Sequence, residues 1–271
     1  MKIVSFNVNG IRARLDHMVP FLRQFQPDIL CLQEIKIIDE DFPRQLFEEE
    51  GYRVYTHGQK GHYGVATICR AEATTVTRGF PGEAEDAQRR FIATSFRSAS
   101  GQTLKVLNGY FPNGESRLHP LKFPNKKQFY ADLKRYLHEH CSPREWLVLL
   151  GDFNVAPADA DVGIGEKNVR RWLKEGKCSF LPEEREWLQS LLDWGLTDSF
   201  RKHHPEVNDR FSWFDFRSKG FDDDPKRGLR IDMILATEPL SAYCSRAGID
   251  YEFRGKVRPS DHCALWSEFD I

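Results

Sequence analysis

The 271-residue chain contains no Cys-x-x-Cys pair: its six cysteines, at positions 31, 69, 141, 178, 244 and 263, are scattered. A zinc ribbon and a dithiol redox motif are therefore both excluded. The spacing matches no small secreted scaffold either, so reduced and mostly buried thiols are expected. No apolar run approaches the ~20 residues of a membrane span. No basic, apolar leader precedes the first strand-like segment, "MKIVSFNV", so a cytoplasmic protein with no membrane attachment is expected. An excess of one charge is missing as well: 39 Lys and Arg stand against 40 Asp and Glu, a net charge of −1. The bulk basicity common in DNA-binding proteins is thus absent, although Arg and Lys gather locally in "KFPNKKQF", "EKNVRRWLKEGK" and "DPKRGLR". Nothing resembles a linker or a coiled-coil heptad, which favours one domain over residues 1–271 and a monomer.

What the chain does have is many short apolar segments of strand character: "KIVSFNV", "DILCLQEIK", "YRVYTH", "GVATICR", "RFIATSFR", "TLKVLNGYF", "WLVLLGDFNV", "FSWFDF", "LRIDMILA" and "CALWSEF". Helical periodicity is rarer. It marks "PRQLFEEEG", "FPNKKQFYADLKRYLHEH" and "LPEEREWLQSLLDWG", the last with Pro182 and three glutamates at its start and Gly195 at its end. Pro20 places the start of the first helix just before itself. Strands interleaved with fewer helices predict a layered α/β sandwich, two packed β-sheets with helices outside. The Phe-Asn-Val shared by "SFNVNG" and "DFNVAP" is a faint echo between two halves.

The apolar strands end in polar residues. Glu34 extends the row of Leu30 and Leu32, Asp152 and Asn154 extend the row of Val148 and Leu150, and Asp232 lies opposite Ile231 and Met233. Asn7 closes "KIVSFN", and Asp261 and His262 precede the last strand. Singly, such a residue is more often a turn former or a cap. Together, if the strand ends share one rim, they make a cup of carboxylates. Two unit charges ~4 Å apart repel by about 4 kcal/mol at an effective dielectric near 20. Either a cation binds there or some pKa values rise. Oxygen-rich ligands with one imidazole favour Mg²⁺ or Mn²⁺ over zinc.

The motifs "FNVNG", "LQEIK", "GHYGVA", "NGYFPNGESR", "GDFNVAP", "FLPEEREW", "FSWFDFRSKGFDD", "GLRIDMILA" and "SDH", in this order and nearly end to end, resemble the exonuclease III family of metal-dependent AP endonucleases. That family lies within the wider endonuclease/exonuclease/phosphatase group, whose fold is a four-layered α/β sandwich. The resemblance implies a Mg²⁺-dependent DNA repair nuclease, with Mn²⁺ as a substitute and one or two ions. It would cut double-stranded DNA 5′ to abasic sites and process blocked 3′ ends by 3′→5′ exonuclease and 3′-phosphatase action. It implies Glu34 as principal metal ligand, with Asn7 and Asp261 nearby, and Asp152, Asn154 and His262 able to hold a second ion. Asp152 would orient or deprotonate the attacking water, Asn154 and His262 would hold the phosphate, Asp232 would orient His262, and Tyr110 would aid the leaving group.

The resemblance also implies a pocket for a flipped-out abasic sugar, lined by Trp213, Phe214 and Leu229. Asn9, Arg12, Lys60, Arg89, Arg90, Arg117, Lys126, Lys127 and Arg171 are candidates for DNA-backbone contacts. A phosphoesterase of the same fold acting on RNA, nucleotides or lipid phosphates is the alternative. A non-catalytic DNA-binding module would be expected to lack some of these polar positions. A carboxylate-pair glycosidase would need neither Asn154, His262 nor a metal.

Overall fold

The run Leu147–Leu150 shows how the molecule is layered. It lies in β8 (Trp146–Asp152), and its side chains leave the strand on alternate faces. Leu147 and Leu149 join Phe129, Leu133, Leu137, Leu188 and Leu191 in one apolar cluster. Val148 and Leu150 join Ile3, Ile29, Val106 and Ile234 in another. Each such side chain taken out of water contributes about 1.5–3 kcal/mol, which is why the strand carries no polar face.

The computed structural model describes residues 1–98 and 100–271. Two six-stranded mixed sheets make its centre. The first runs β11 (Cys244–Ile249), β12 (Leu265–Phe269), β1 (Lys2–Asn7), β2 (Ile29–Gln33), β4 (Val65–Cys69), β3 (Arg53–His57). The second runs β5 (Thr75–Arg78), β6 (Phe91–Arg97), β7 (Thr103–Tyr110), β8, β10 (Asp232–Thr237), β9 (Leu196–Asp198). On the outer side of the first sheet, Phe21 and Leu22 of α1 (Leu15–Phe25) and Phe47 of α2 (Arg44–Glu48) meet Val4, Phe6, Leu30 and Leu32. On the outer side of the second lie α3 (Lys122–His140) and α5 (Pro182–Leu192). The result is the expected four-layered sandwich. The Phe-Asn-Val echo has a structural counterpart. β1 is parallel to β2 and antiparallel to β12, just as β8 is parallel to β7 and antiparallel to β10.

Several local expectations fail. Pro20 lies inside α1 rather than at its start. The carbonyl it deprives of a partner is that of Asp16 in the first turn, where the loss is small. "FSWFDF" is not a strand: Trp213 makes only isolated bridges, to Leu229 and to His262. Its apolar residues serve different clusters, Phe211 and Phe214 in one and Trp213 in another. The edge strands β5 and β11, with exposed and polar residues, and the three-residue β9 carry no apolar pattern to read. "DVGIGEKNVRRW" is not simply a loop, because α4 (Glu166–Glu175) starts within it and ends at Gly176. All six cysteines are free, and five are buried. No helix among the described residues is long and apolar enough to cross a membrane.

Candidate active site

The polar ends of β1, β2, β7, β8 and β10 meet with the segment that precedes β12. Register does most of this. Asp152 stands opposite Asp232 in the antiparallel β8–β10 pair and opposite Tyr110 in the parallel β7–β8 pair. Gly151 makes the approach possible, since a Cβ there would lie 1.8 Å from the carbonyl oxygen of Gly109 on β7. Beyond the strands, simple alternation breaks down. Glu34 (φ 55°), Asn154 (φ 54°) and Asn9 (φ 46°) adopt left-handed backbone, a conformation that costs about 1 kcal/mol or more for a full side chain. The turn at Glu34 is held by Val8 N–H on the Gln33 carbonyl (3.1 Å) and Gly10 N–H on the Glu34 carbonyl (2.7 Å).

At the centre lies a buried carboxylate–imidazole–carboxylate array. His262 Nδ1 is 2.9 and 3.1 Å from the two oxygens of Asp232, and His262 Nε2 is 3.7 Å from Asp152 Oδ2. Asp152 Oδ2 accepts a hydrogen bond from Asn7 Nδ2 (2.9 Å), and its Oδ1 accepts from the backbone N–H of Asn154 (2.9 Å). Asn154 is itself fixed: its amide donates to the Phe111 carbonyl (2.9 Å) and accepts from Asn113 Nδ2 (2.8 Å).

The protonation states follow from these contacts. Burial raises the Asp152 pKa, His262 opposes and Asp232 adds to it, and the outcome is about 7. Burial disfavours the His262 imidazolium, but Asp232 and then Asp152 outweigh it, pushing the pKa up to about 10. Histidine thus carries its charge between two carboxylates at neutral pH. Burial, reinforced by Glu34, raises Tyr110 well above the ordinary phenol value, so its hydroxyl remains a donor.

The other two carboxylates form a neighbouring group. Glu34 Oε1 is 2.9 Å from Lys36 Nζ, which also donates to Asn9 Oδ1 (2.6 Å). Asp261 accepts from Asn9 Nδ2 (2.8 Å) and from the Trp213 indole N–H (3.0 Å). Burial works against the Asp261 carboxylate, yet His262, Asn9 and Trp213 together hold its pKa below the usual value. The cup of like charges expected from the strand ends is therefore partly compensated from within, by His262 and Lys36. Glu34, Asp152, Asp261 and His262 still face one cleft of about 290 Å³. Its donors are mainly carboxylate oxygens, a set that fits a hard divalent cation. Ligand atoms of Asp152, Asp232 and His262 lie within 4.8 Å of one another. Both Asp232 oxygens are turned to His262 Nδ1, however, so Asp232 serves the imidazole first.

Trp213 lines the same cleft, but Phe214 and Leu229 do not. Phe214 is fully buried against Phe211, Phe221 and Tyr251. Leu229 lies behind Trp213, exchanging backbone hydrogen bonds with it (2.9 and 3.0 Å) and packing on Phe180 and Ile231. Those two sugar-pocket expectations are corrected: the side chains are on the core side of the wall. The lining residues that the sequence did not single out are Asn113, Glu115, Trp172, Lys177, Cys178, Ser179 and Ile231. Trp172 belongs to the missed α4 and stacks on Phe180, ring centroids 5.7 Å apart. The glycines bracketing α4, Gly165 and Gly176, were the available signal.

The basic candidates scatter. Lys126 is fully buried, its ammonium 2.5 Å from the equally buried Glu184, so it is excluded as a DNA contact. Arg90 is buried too, its guanidinium lying over the rings of Tyr63 and Tyr110 and bonded to the Tyr110 carbonyl (3.1 Å). It positions Tyr110 rather than presenting a free surface charge. Arg12, Lys60, Arg117, Lys127 and Arg171 are exposed and Arg89 is half-buried. Arg12 pairs with Asp41, Arg89 with Asp39, and Arg117 with Glu183 through two nitrogens. Asn9 belongs to the Glu34–Asp261 group.

Comparison with known proteins places this geometry. The model of the endonuclease/exonuclease/phosphatase family matches residues 4–262. The chain is 52% identical over 269 residues to exodeoxyribonuclease III of Haemophilus influenzae, covering 99% of this chain and 100% of that one. Among solved structures it is similar to a 3′ phosphatase from Neisseria bound to a product DNA hairpin (TM-score 0.90, 39% identity, both chains covered in full). It is similar also to an AP endonuclease from Archaeoglobus fulgidus (TM-score 0.90, 35% identity, both chains again covered in full).

Proposed function

Because the chain belongs to the endonuclease/exonuclease/phosphatase family, as a hydrolytic DNA repair nuclease of the exonuclease III and AP endonuclease kind, we propose that it cuts duplex DNA 5′ to abasic sites and clears blocked 3′ ends. It acts as a monomer in the cytoplasm, with Mg²⁺ or Mn²⁺. The observation that carries this reading is the Asp152–His262–Asp232 array at the floor of a cleft also lined by Tyr110 and Asn154.

Phosphodiester hydrolysis concentrates negative charge on the phosphoryl oxygens and on the departing sugar oxygen. The charged His262 and the Asn154 amide are the donors for the phosphoryl oxygens. Asp232 keeps His262 charged and oriented. Asp152, with a pKa near neutrality, is the proton acceptor for the attacking water. The Tyr110 hydroxyl, kept protonated, is a donor for the leaving oxygen. Glu34, Asn7 and Asp261 are the residues that would hold a divalent cation, whose chemistry is to add fixed positive charge beside the scissile phosphate. Trp172 and Trp213 give the cleft an aromatic side beside its polar floor, suited to an abasic sugar that has no base to stack elsewhere.

The test is a labelled duplex with one tetrahydrofuran lesion, in Mg²⁺ or in EDTA, beside a 3′-phosphate duplex, an RNA strand and free nucleotides. Nicking 5′ to the lesion, abolished by EDTA and with His262→Ala slower by about 10²–10³-fold, is expected. Metal-independent cutting, or faster turnover of RNA or nucleotides, would refute it.

A further inference from the structure

Among the described residues, every other buried cation has a partner. Lys126 meets Glu184, Arg230 meets Asp161 and Asp198, and Arg90 bonds to Gln88 and to the Tyr110 carbonyl. Arg254 does not. It is 8% exposed, and among the described residues its guanidinium makes no hydrogen bond and meets no carboxylate within ion-pairing distance; its Nε is enclosed without an acceptor. The guanidinium instead lies among three phenylalanine rings, 4.7 Å from the centroid of Phe221, 5.3 Å from Phe216 and 5.8 Å from Phe214. Burial holds its pKa below the ordinary arginine value, and the charges of Cys263, Asp261 and Asp222 offset this only in part.

The rings hold the charge without satisfying it. Aromatic faces attract a guanidinium and restrict its rotamers, but they accept no N–H in the plane of the fork. The cage has an open side, because Phe216 is exposed (44%). It also sits next to the active site: Phe214 N–H donates to the Asp261 carbonyl (2.9 Å), and Asp261 and Trp213 line the cleft. Asp261 is not the missing counter-ion, because it lies beyond ion-pairing distance of the guanidinium, its two oxygens accepting from Asn9 Nδ2 and the Trp213 indole. A ring-caged guanidinium with no acceptor among the described residues, beside a DNA-cutting cleft, matches one ligand chemistry, the paired anionic oxygens of a phosphodiester.

We propose that Arg254 is a built-in binding point for one backbone phosphate of the substrate duplex, on the Trp213–Asp261 flank and apart from the scissile linkage. This rests on the reading that DNA is the substrate. Preorganisation by the rings means that little side-chain entropy is lost when the phosphate arrives.

The experiment measures binding of a labelled duplex with one tetrahydrofuran lesion, in EDTA so that nothing is cut, across a salt series. Arg254→Gln is expected to weaken binding by about tenfold and to flatten the plot of log affinity against log salt by about 0.9, the loss of one neutralised phosphate. Arg254→Lys should keep the wild-type slope while binding a few-fold more weakly. A scan of single neutral methylphosphonate linkages with the wild-type protein should find one position whose penalty is absent in Arg254→Gln. An unchanged slope in Arg254→Gln, or a melting-temperature loss with unaltered binding, would make the arginine a packing residue and overturn the proposal. If Arg254→Gln does not fold, the scan decides with wild type and Arg254→Lys: no position with a smaller penalty in the lysine variant overturns it. Wild-type protein that binds duplex without salt dependence would sink the DNA reading itself.

Discussion

Replacing Lys126 by Met should cost the protein stability while leaving the electrostatics of DNA binding unaltered. All three ammonium protons are in use: on Glu184 Oε1 (2.5 Å), on the Asn154 carbonyl (2.9 Å) and on the Asn113 carbonyl (3.1 Å). The other Glu184 oxygen accepts the backbone N–H groups of Ser179 (2.8 Å) and Leu181 (2.9 Å). One ion pair thus clamps three segments of the cleft wall. Without the ammonium, Glu184 keeps two donors but loses its counter-charge, and two carbonyls lose a partner. Breaking one side of a buried pair costs about 3–5 kcal/mol, or roughly 6–20 °C in melting temperature for a chain of this size. Urea unfolding should show a lower midpoint with an unchanged slope, and Lys126→Met/Glu184→Gln should recover part of the loss. A destabilisation below about 1 kcal/mol would refute the clamp. So would a flatter salt dependence of DNA binding at unchanged stability, which would return Lys126 to the surface role its sequence context had implied.

Glu34→Ala should remain folded, cut about 10²-fold more slowly and need more Mg²⁺ for half its maximal rate; a metal titration identical to wild type would remove Glu34 from the cation site. Burial works against the ionised form of Asp161, but Arg230 and then Arg201 prevail and hold its carboxyl below the ordinary aspartate range. The unfolded chain therefore binds that proton more readily, so the stabilisation is complete above about pH 4 and is lost as the pH falls through and below that value. Asp161→Asn should be less stable than wild type at neutral pH and lose less on acidification, read as urea midpoints from about pH 6 to 3. Parallel acid limbs for the two proteins would rule this out.

Much of the site was legible in the sequence because each polar residue there interrupts an apolar pattern. Asp152 and Asn154 follow four buried residues, and Glu34 follows a strand that is buried throughout. Errors arose where a residue type has two common uses. A lysine in a basic stretch, Lys126, is indistinguishable from its exposed neighbour Lys127 until α3 is wound, when one faces Glu184 and the other solvent. Phe214 and Trp213 are adjacent aromatics, and only the bridges of Trp213 to Leu229 and His262 send one into the cleft and the other into the core. Arg254 carries no local signal, because its meaning lies in the acceptors that are missing around it.

From the sequence alone came the layered α/β class, the strands with continuous apolar runs, and the polar residues at their ends. All of these depend on side-chain period and composition over a few neighbouring positions. Tertiary structure alone decided which of those residues meet. Asp152 and Asp232 are far apart in the chain and become neighbours only through the β8–β10 register, and the same holds for Glu34 with Asp261 across the left-handed turns. Charge compensation was likewise decided in three dimensions. Whether a carboxylate is a lone charge, a partner of His262 or a counter-ion for Lys36 depends on distances of about 3 Å, over which the Coulomb energy changes by kilocalories and which no spacing along the chain records.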